Sequence, residues 1–112
     1  DWLQCQLALT EGFTNAVRHA HKNLPAKVPI EIELTLRRQS LEIQIWDRGS
    51  PFDLQAYIKT LDRQGNNRSV GGQGIPILHK IADRLSYVRT DDHRNCLLIV
   101  KQFSSVEQNV NE

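Results

Sequence analysis

Strict alternation between residues 30 and 47 is the strongest constraint on this chain. Ile30, Ile32, Leu34 and Leu36 share one parity; Glu31, Glu33, Thr35 and Arg37 share the other. After the link Arg38-Gln39-Ser40, the pattern resumes with Leu41, Ile43 and Ile45. A period of two sends successive side chains to opposite faces of a strand, so each run carries one apolar face. A short polar link between two such runs predicts an antiparallel hairpin. Asp47 continues the Leu41-Ile43-Ile45 series, which places it on the buried face. A sheet with one apolar face needs another layer to cover it.

The rest of the chain supplies that layer. Residues 2–21 carry apolar side chains at spacings of three and four: Trp2, Cys5, Leu9, Phe13, Ala16, Val17 and Ala20. This predicts a helix with an apolar stripe, stopped at Asn23-Leu24-Pro25. Glu11, Asn15 and His19 step by four along a different stripe. A short helix is expected over about 53–59, and a second clear one over 75–83, with Pro76 in its first turn where a missing N–H costs nothing. Residues 62–70 are polar and without periodicity, and 60–72 read as a mobile lid. Strands are expected over 85–89 and 96–103, joined by the polar link 91–95. The sum is an α+β fold: a two-layer sandwich of a mixed, mostly antiparallel sheet with helices on one face.

With 112 residues, the chain has room for one domain and one modest core. We expect that domain over 1–103, with 104–112 as a polar tail. Helical pattern starts at once, at a residue other than Met, so we expect the native chain to carry more ahead of Asp1. The formal charge of +1 gives no strong pull toward nucleic acid or anionic membrane. No apolar run approaches a membrane span or reads as a signal peptide. Cys5 and Cys96 fall in apolar patterns and form no Cys-x-x-Cys, which suits a reduced, cytoplasmic setting.

Three segments carry chemistry. Asp47, at a strand end on the apolar face, is a costly carboxylate that would suit an exocyclic amine such as that of adenine, with Gly49 letting a ring approach the backbone. Its plainer rival is a strand that ends one residue earlier, in a turn. Gly71-Gly72-Gln73-Gly74 precedes a helix whose free N–H groups attract phosphate, and equally reads as a linker and cap. Asn15 offers Mg²⁺ a neutral oxygen, and Glu11, one turn away, could accept a hydroxyl proton. Both also suit an ordinary solvated helix face. His19 could donate to phosphate or simply end the helix. Neither a zinc pair nor a Ser-His-Asp arrangement stands out.

Taken in order, these segments resemble the ATPase family shared by gyrase, the Hsp90 chaperone, sensor histidine kinases and the MutL repair protein. Glu11-x-x-x-Asn15-Ala16-x-x-His19 resembles its Asn-containing box, Asp47-Arg48-Gly49 its adenine box, and Gly72-Gln73-Gly74 its later glycine box. The run Thr10-Glu11-x-x-Thr14-Asn15, the short segment between Asp53 and Gly72, and Asp47-x-Gly49-x-Pro51-Phe52-Asp53 resemble most closely the anti-sigma factor serine kinases of the SpoIIAB and RsbW type. The resemblance implies ATP and Mg²⁺ as cofactors, held between helix and sheet. It implies Glu11 as general base toward a protein serine or threonine and Asn15 as the magnesium ligand. Asp47 would read adenine N6 with Gly49 alongside; Gly72, Gly74 and Ile75 would hold phosphates, with His19 nearby. It also implies an anti-sigma-factor antagonist as protein substrate, with a sigma factor and a second copy of the chain as further partners. The chain departs from the pattern at Val70, where the family often has Arg; the nearest basic residue is Arg68. The domain over 1–103 is expected to lack the strand and helix that the family carries ahead of the Asn box. A non-catalytic, ATP-dependent sequestering module and the catalytic domain of a sensor histidine kinase are the rival readings.

Overall fold

A computed structural model describes residues 2–64 and 74–103. Four strands form one sheet: β1 (Glu31–Leu36), β2 (Ser40–Asp47), β3 (Arg84–Arg89) and β4 (Asn95–Gln102), in the order β1-β2-β4-β3. Every pairing among the described strands is antiparallel, in keeping with the mixed, mostly antiparallel sheet expected. Both predicted hairpins are present. The first closes through Arg37 N–H donating to Ser40 O at 2.8 Å, the second through Thr90 N–H to Arg94 O at 2.7 Å. Between them, β2 and β4 pair along their whole lengths, from Ser40↔Gln102 to Asp47↔Asn95. Leu41, Ile43 and Ile45 of β2 and Leu97 and Ile99 of β4 form the floor of the core.

Helix α1 (Trp2–Asn15) lies on that floor. Its buried stripe is Cys5, Ala8 and Gly12, continued by Ala16 just past its end, which corrects the expectation that Trp2, Phe13 and Val17 face inward; those three are exposed. The reason is closeness. A Cβ added at Gly12 would fall 2.6 Å from Ile45 Cδ1 and 3.1 Å from Ile99 Cδ1, so the small residues of this stripe let the helix backbone settle close to the sheet. The larger residues are displaced to the flank, where Trp2 packs on Phe103 at 5.9 Å between ring centroids.

The predicted helix over 2–21 changes character at its end. Ala16–Ala20 is π-helical, with His21 N–H reaching back to Ala16 O at 2.9 Å. A π turn shifts the phase of everything after it and often marks functional sites.

Helix α2 (Leu54–Gln64) is longer than expected, because Leu54, Ile58 and Leu61 sustain a buried stripe for one turn more. Asp53 caps it, its Oδ1 accepting from Ala56 N–H at 3.0 Å. Residues 62–64, expected in a loop, therefore continue the helix; the remainder of the expected lid, 65–72, lies outside the described residues. Helix α3 (Gly74–Ile81) packs on α1 and buries Ile75 and Leu78. It ends at Ile81, short of the predicted Asp83, because Asp83 N–H already pairs with Val100 O at 2.8 Å and leads into β3. Cys5 and Cys96 are both buried thiols. No helix among the described residues is long and apolar enough to cross a membrane.

On edge strand β1, Ile32, Leu34 and Leu36 share the face of Ile45, Ile43 and Leu41 by register, yet they are exposed. α1 covers β2 and β4 instead.

Candidate active site

The sheet register assembles the first part of the site. Asp47 pairs with Asn95 across β2 and β4, and Asn95 pairs with Arg89 across β4 and β3. All three continue the inward parity of their strands. Asp47 is buried at 2% exposure, as its parity predicts. A buried carboxylate is costly unless its lone pairs are met, and here they are. Oδ1 accepts from Gly49 N–H at 2.9 Å and from Asn95 Nδ2 at 2.7 Å; Oδ2 accepts from the Tyr87 hydroxyl at 2.5 Å. The Gly49 carbonyl is clamped in turn by Asn95 Nδ2 at 3.0 Å and Arg89 Nη1 at 2.8 Å. Burial, followed by the hydrogen bond to Asp47, pushes the Tyr87 phenol far above its ordinary value, so its proton stays in place.

The end of the first helix braces the same loop. His21 is buried, and its Nε2 accepts from Arg48 N–H at 2.8 Å. This fixes the neutral tautomer with the proton on Nδ1. Beside it, Gly49 presses on the Ala20 backbone: a Cβ at Gly49 would fall 2.2 Å from Ala20 O. Only glycine fits there.

A cavity of about 680 Å³ opens between the π-helical turn, the 48–52 loop, the start of α3 and β3, a size suited to a nucleotide-scale ligand. Asn15 and His19 line its helix side, Arg48, Gly49 and Phe52 the loop side, and Gly74 and Ile75 the α3 side. Tyr57, Tyr87 and Arg89 complete an aromatic and basic wall. Phe52 sits 5.8 Å from Tyr57 and 6.0 Å, edge-on, from Tyr87. That is a surface a flat heterocycle can pack against.

Five of the expected residues thus meet in one cavity: Asn15, His19, Gly49, Gly74 and Ile75. Two stand back from it. Asp47, bonded to the Tyr87 hydroxyl, is not part of the cavity lining, and Glu11 is half-buried against the start of α3, its Oε1 3.5 Å from where a Gly74 Cβ would be. Gly72 and Arg68 lie outside the described residues. Among the described residues no group of three or more His, Cys, Asp and Glu could hold a metal ion. A lone Asn15 carboxamide in a nucleotide-sized cavity nevertheless fits Mg²⁺, which takes one or two protein oxygens and fills its shell with water and phosphate. Sequence reasoning missed Tyr87, Arg89, Asn95 and His21. The signal for three of them was parity: Tyr87 and Arg89 continue from Leu85, and Asn95 precedes Leu97 and Ile99.

This architecture, an Asn-bearing helix end and the Gly49 turn facing each other across a cavity over an antiparallel sheet, is that of an ATPase domain. The model of the histidine kinase-like ATPase domain family matches residues 1–101, and the chain belongs to that family. Among individual proteins, the chain is similar to the serine-protein kinase RsbW of Bacillus licheniformis, with 28% identity over 85 residues that cover 71% of this chain and 53% of that protein. RsbW of Staphylococcus epidermidis is 27% identical over 86 residues, and that of Staphylococcus aureus 26%; each alignment covers 72% of this chain and 54% of the relative. The chain therefore spans about half the length of the curated relatives it matches.

Proposed function

We propose that this protein is an ATP- and Mg²⁺-dependent serine/threonine kinase of the anti-sigma regulatory type, acting in the cytoplasm on an anti-sigma-factor antagonist protein. The observation that carries this reading is the convergence of Asn15, Gly49 and the α3 start on one cavity with the Asp47 network behind it. The similarity to RsbW proteins supports the choice of a protein hydroxyl as acceptor. A sigma factor and a second copy of the chain are further partners on this reading.

Each residue then has a task. The base packs between Gly49 and the Phe52–Tyr57–Tyr87 wall, over the Asp47 network. The backbone at Gly72, Gly74 and Ile75 and the His19 side chain hold phosphates. Asn15 supplies the protein oxygen to Mg²⁺, whose charge offsets that of the phosphates. Glu11 takes the proton of the attacking hydroxyl. The serine oxygen bonds to the γ-phosphorus as the bond to ADP breaks, a transfer that depends on positioning and charge more than covalent help from the protein. Incubation with Mg-ATP and a candidate antagonist, followed by mapping of phosphoserine, tests the proposal. Phosphate on one hydroxyl is the expected result, and none on any candidate overturns it.

One observation favours a second reading. Glu11 rests against Gly74 and not on the cavity wall. A domain that binds nucleotide and sequesters a partner without phosphorylating it needs no base there.

A further inference from the structure

His21 closes the π-helical turn and braces the loop after β2. Its own N–H donates to Ala16 O at 2.9 Å, and its Nε2 accepts from Arg48 N–H at 2.8 Å. The residue is buried, at 8% exposure. Ala20, one residue earlier, meets Gly49 through its backbone, and Ala20, Arg48 and Gly49 all line the cavity. A neutral imidazole has one acceptor nitrogen, and here the Arg48 amide uses it. An imidazolium has two donors and no acceptor.

We propose that His21 is a pH-sensitive latch: neutral, it holds the 48–52 loop on the helix end in the form that binds nucleotide; protonated, it releases the loop and weakens binding. This rests on the nucleotide reading above and adds a regulator to it. A proton on Nε2 points at Arg48 N–H, donor against donor. The ring is buried, so it must leave its seat to turn that proton to water, and Ala20 moves with it, off Gly49. The charged and titratable groups on the elements that meet here are Glu11, Arg18, His19, Lys22 and Lys27 along the helix and the link after it, Asp47 and Arg48 at the end of β2, and Glu31 at the start of β1. The three carboxylates are engaged elsewhere: Asp47 by Gly49, Asn95 and Tyr87, Glu31 by Arg48 and Arg94, and Glu11 against the start of α3. A nucleotide that needs the seated loop binds the neutral form. Its affinity is therefore full at neutral and alkaline pH and falls on acidification, by at most about tenfold per pH unit for one proton. His19, on the cavity wall, has the opposite sign, since a positive charge beside phosphates tightens binding.

Two measurements test the latch. The first is ATP affinity by titration calorimetry at about pH 7.5 and about pH 5.5, in the parent and in His21→Gln, whose side-chain oxygen can accept from Arg48 N–H and does not titrate. The nucleotide and His19 titrate in both proteins, so the difference between them isolates His21. The parent should lose about tenfold more affinity on acidification than the variant. The second is the hydrogen-exchange protection factor of the Arg48 amide in the nucleotide-free parent. It should drop at the lower pH while the amides of β4 stay protected. Equal pH dependence in parent and variant, or an Arg48 amide equally protected at both pH values, overturns the latch. If His21→Gln does not fold, the Arg48 amide decides. A parent that binds no ATP at either pH overturns the nucleotide reading, and Arg48 exchange then decides whether the latch itself exists.

Discussion

Gly49 and Ala20 touch backbone to backbone. The space a Gly49 side chain would need is occupied by the Ala20 carbonyl oxygen, 2.2 Å from the Cβ position. The turn after β2 is thus seated directly on the end of the first helix, and two walls of the cavity meet in backbone contact.

Gly49→Ala should therefore push the turn off the helix. Backbone cannot yield as a flexible side chain does, so a loss of about 1–3 kcal/mol of stability is expected, with nucleotide affinity falling alongside. Urea denaturation and ATP titration measure both. A variant of parental stability would mean that the contact is loose.

His21→Ala removes the acceptor for Arg48 N–H and leaves that donor unpaired, at a cost of about 1–3 kcal/mol. Hydrogen exchange reads the local effect: the Arg48 amide should exchange faster in the variant while the amides of β4 stay protected. Unchanged exchange at Arg48 would show that solvent or another group replaces His21.

Tyr87 sets a limit at high pH. Its phenol is held protonated in the folded state by burial and by Asp47, above its value in the unfolded chain. Stability from this group is fully present below the ordinary phenol range of about 10 and is lost as pH rises beyond it. The melting temperature of the parent should fall more steeply than that of Tyr87→Phe in alkaline buffer. Parallel curves would remove Tyr87 from the alkaline transition.

Asn15→Ala should abolish the dependence of ATP affinity on magnesium while weaker, metal-independent binding persists. Titrations with and without a chelator decide this, and a magnesium response equal to the parental one would take Asn15 out of the metal shell.

Glu11→Gln keeps the shape of the side chain and removes its basicity. Nucleotide affinity should hold near the parental value while phosphotransfer falls by about 10²–10⁴-fold. Equal transfer rates would show that Glu11 is not the base, in line with its place beside Gly74.

Much of this was written in the alternation of 30–47, which yields the first hairpin and the burial of Asp47. Two kinds of information were not. A helix stripe read by hydrophobicity favours Trp2, Phe13 and Val17, but close seating on a sheet selects for smallness, so Cys5, Ala8, Gly12 and Ala16 face inward. The partners of Asp47 depend on β2 lying next to β4, a pairing between segments some fifty residues apart that local periodicity does not encode. Tyr87, Arg89 and Asn95 become visible only once that neighbour is known.

The π-helical turn at Ala16–Ala20 makes length, more than composition, the sensitive variable of the first helix. Each residue of an α-helix turns the chain by about 100°. Deleting a single residue there would change the reach of the helix by little but would swing His21 away from Arg48 and Ala20 away from Gly49. Substitutions on the outer flank, at Val17 or Arg18, leave that clocking untouched. A ruler-like tolerance to exchange, with near-zero tolerance to insertion or deletion, is the signature this segment should carry in any library of its variants.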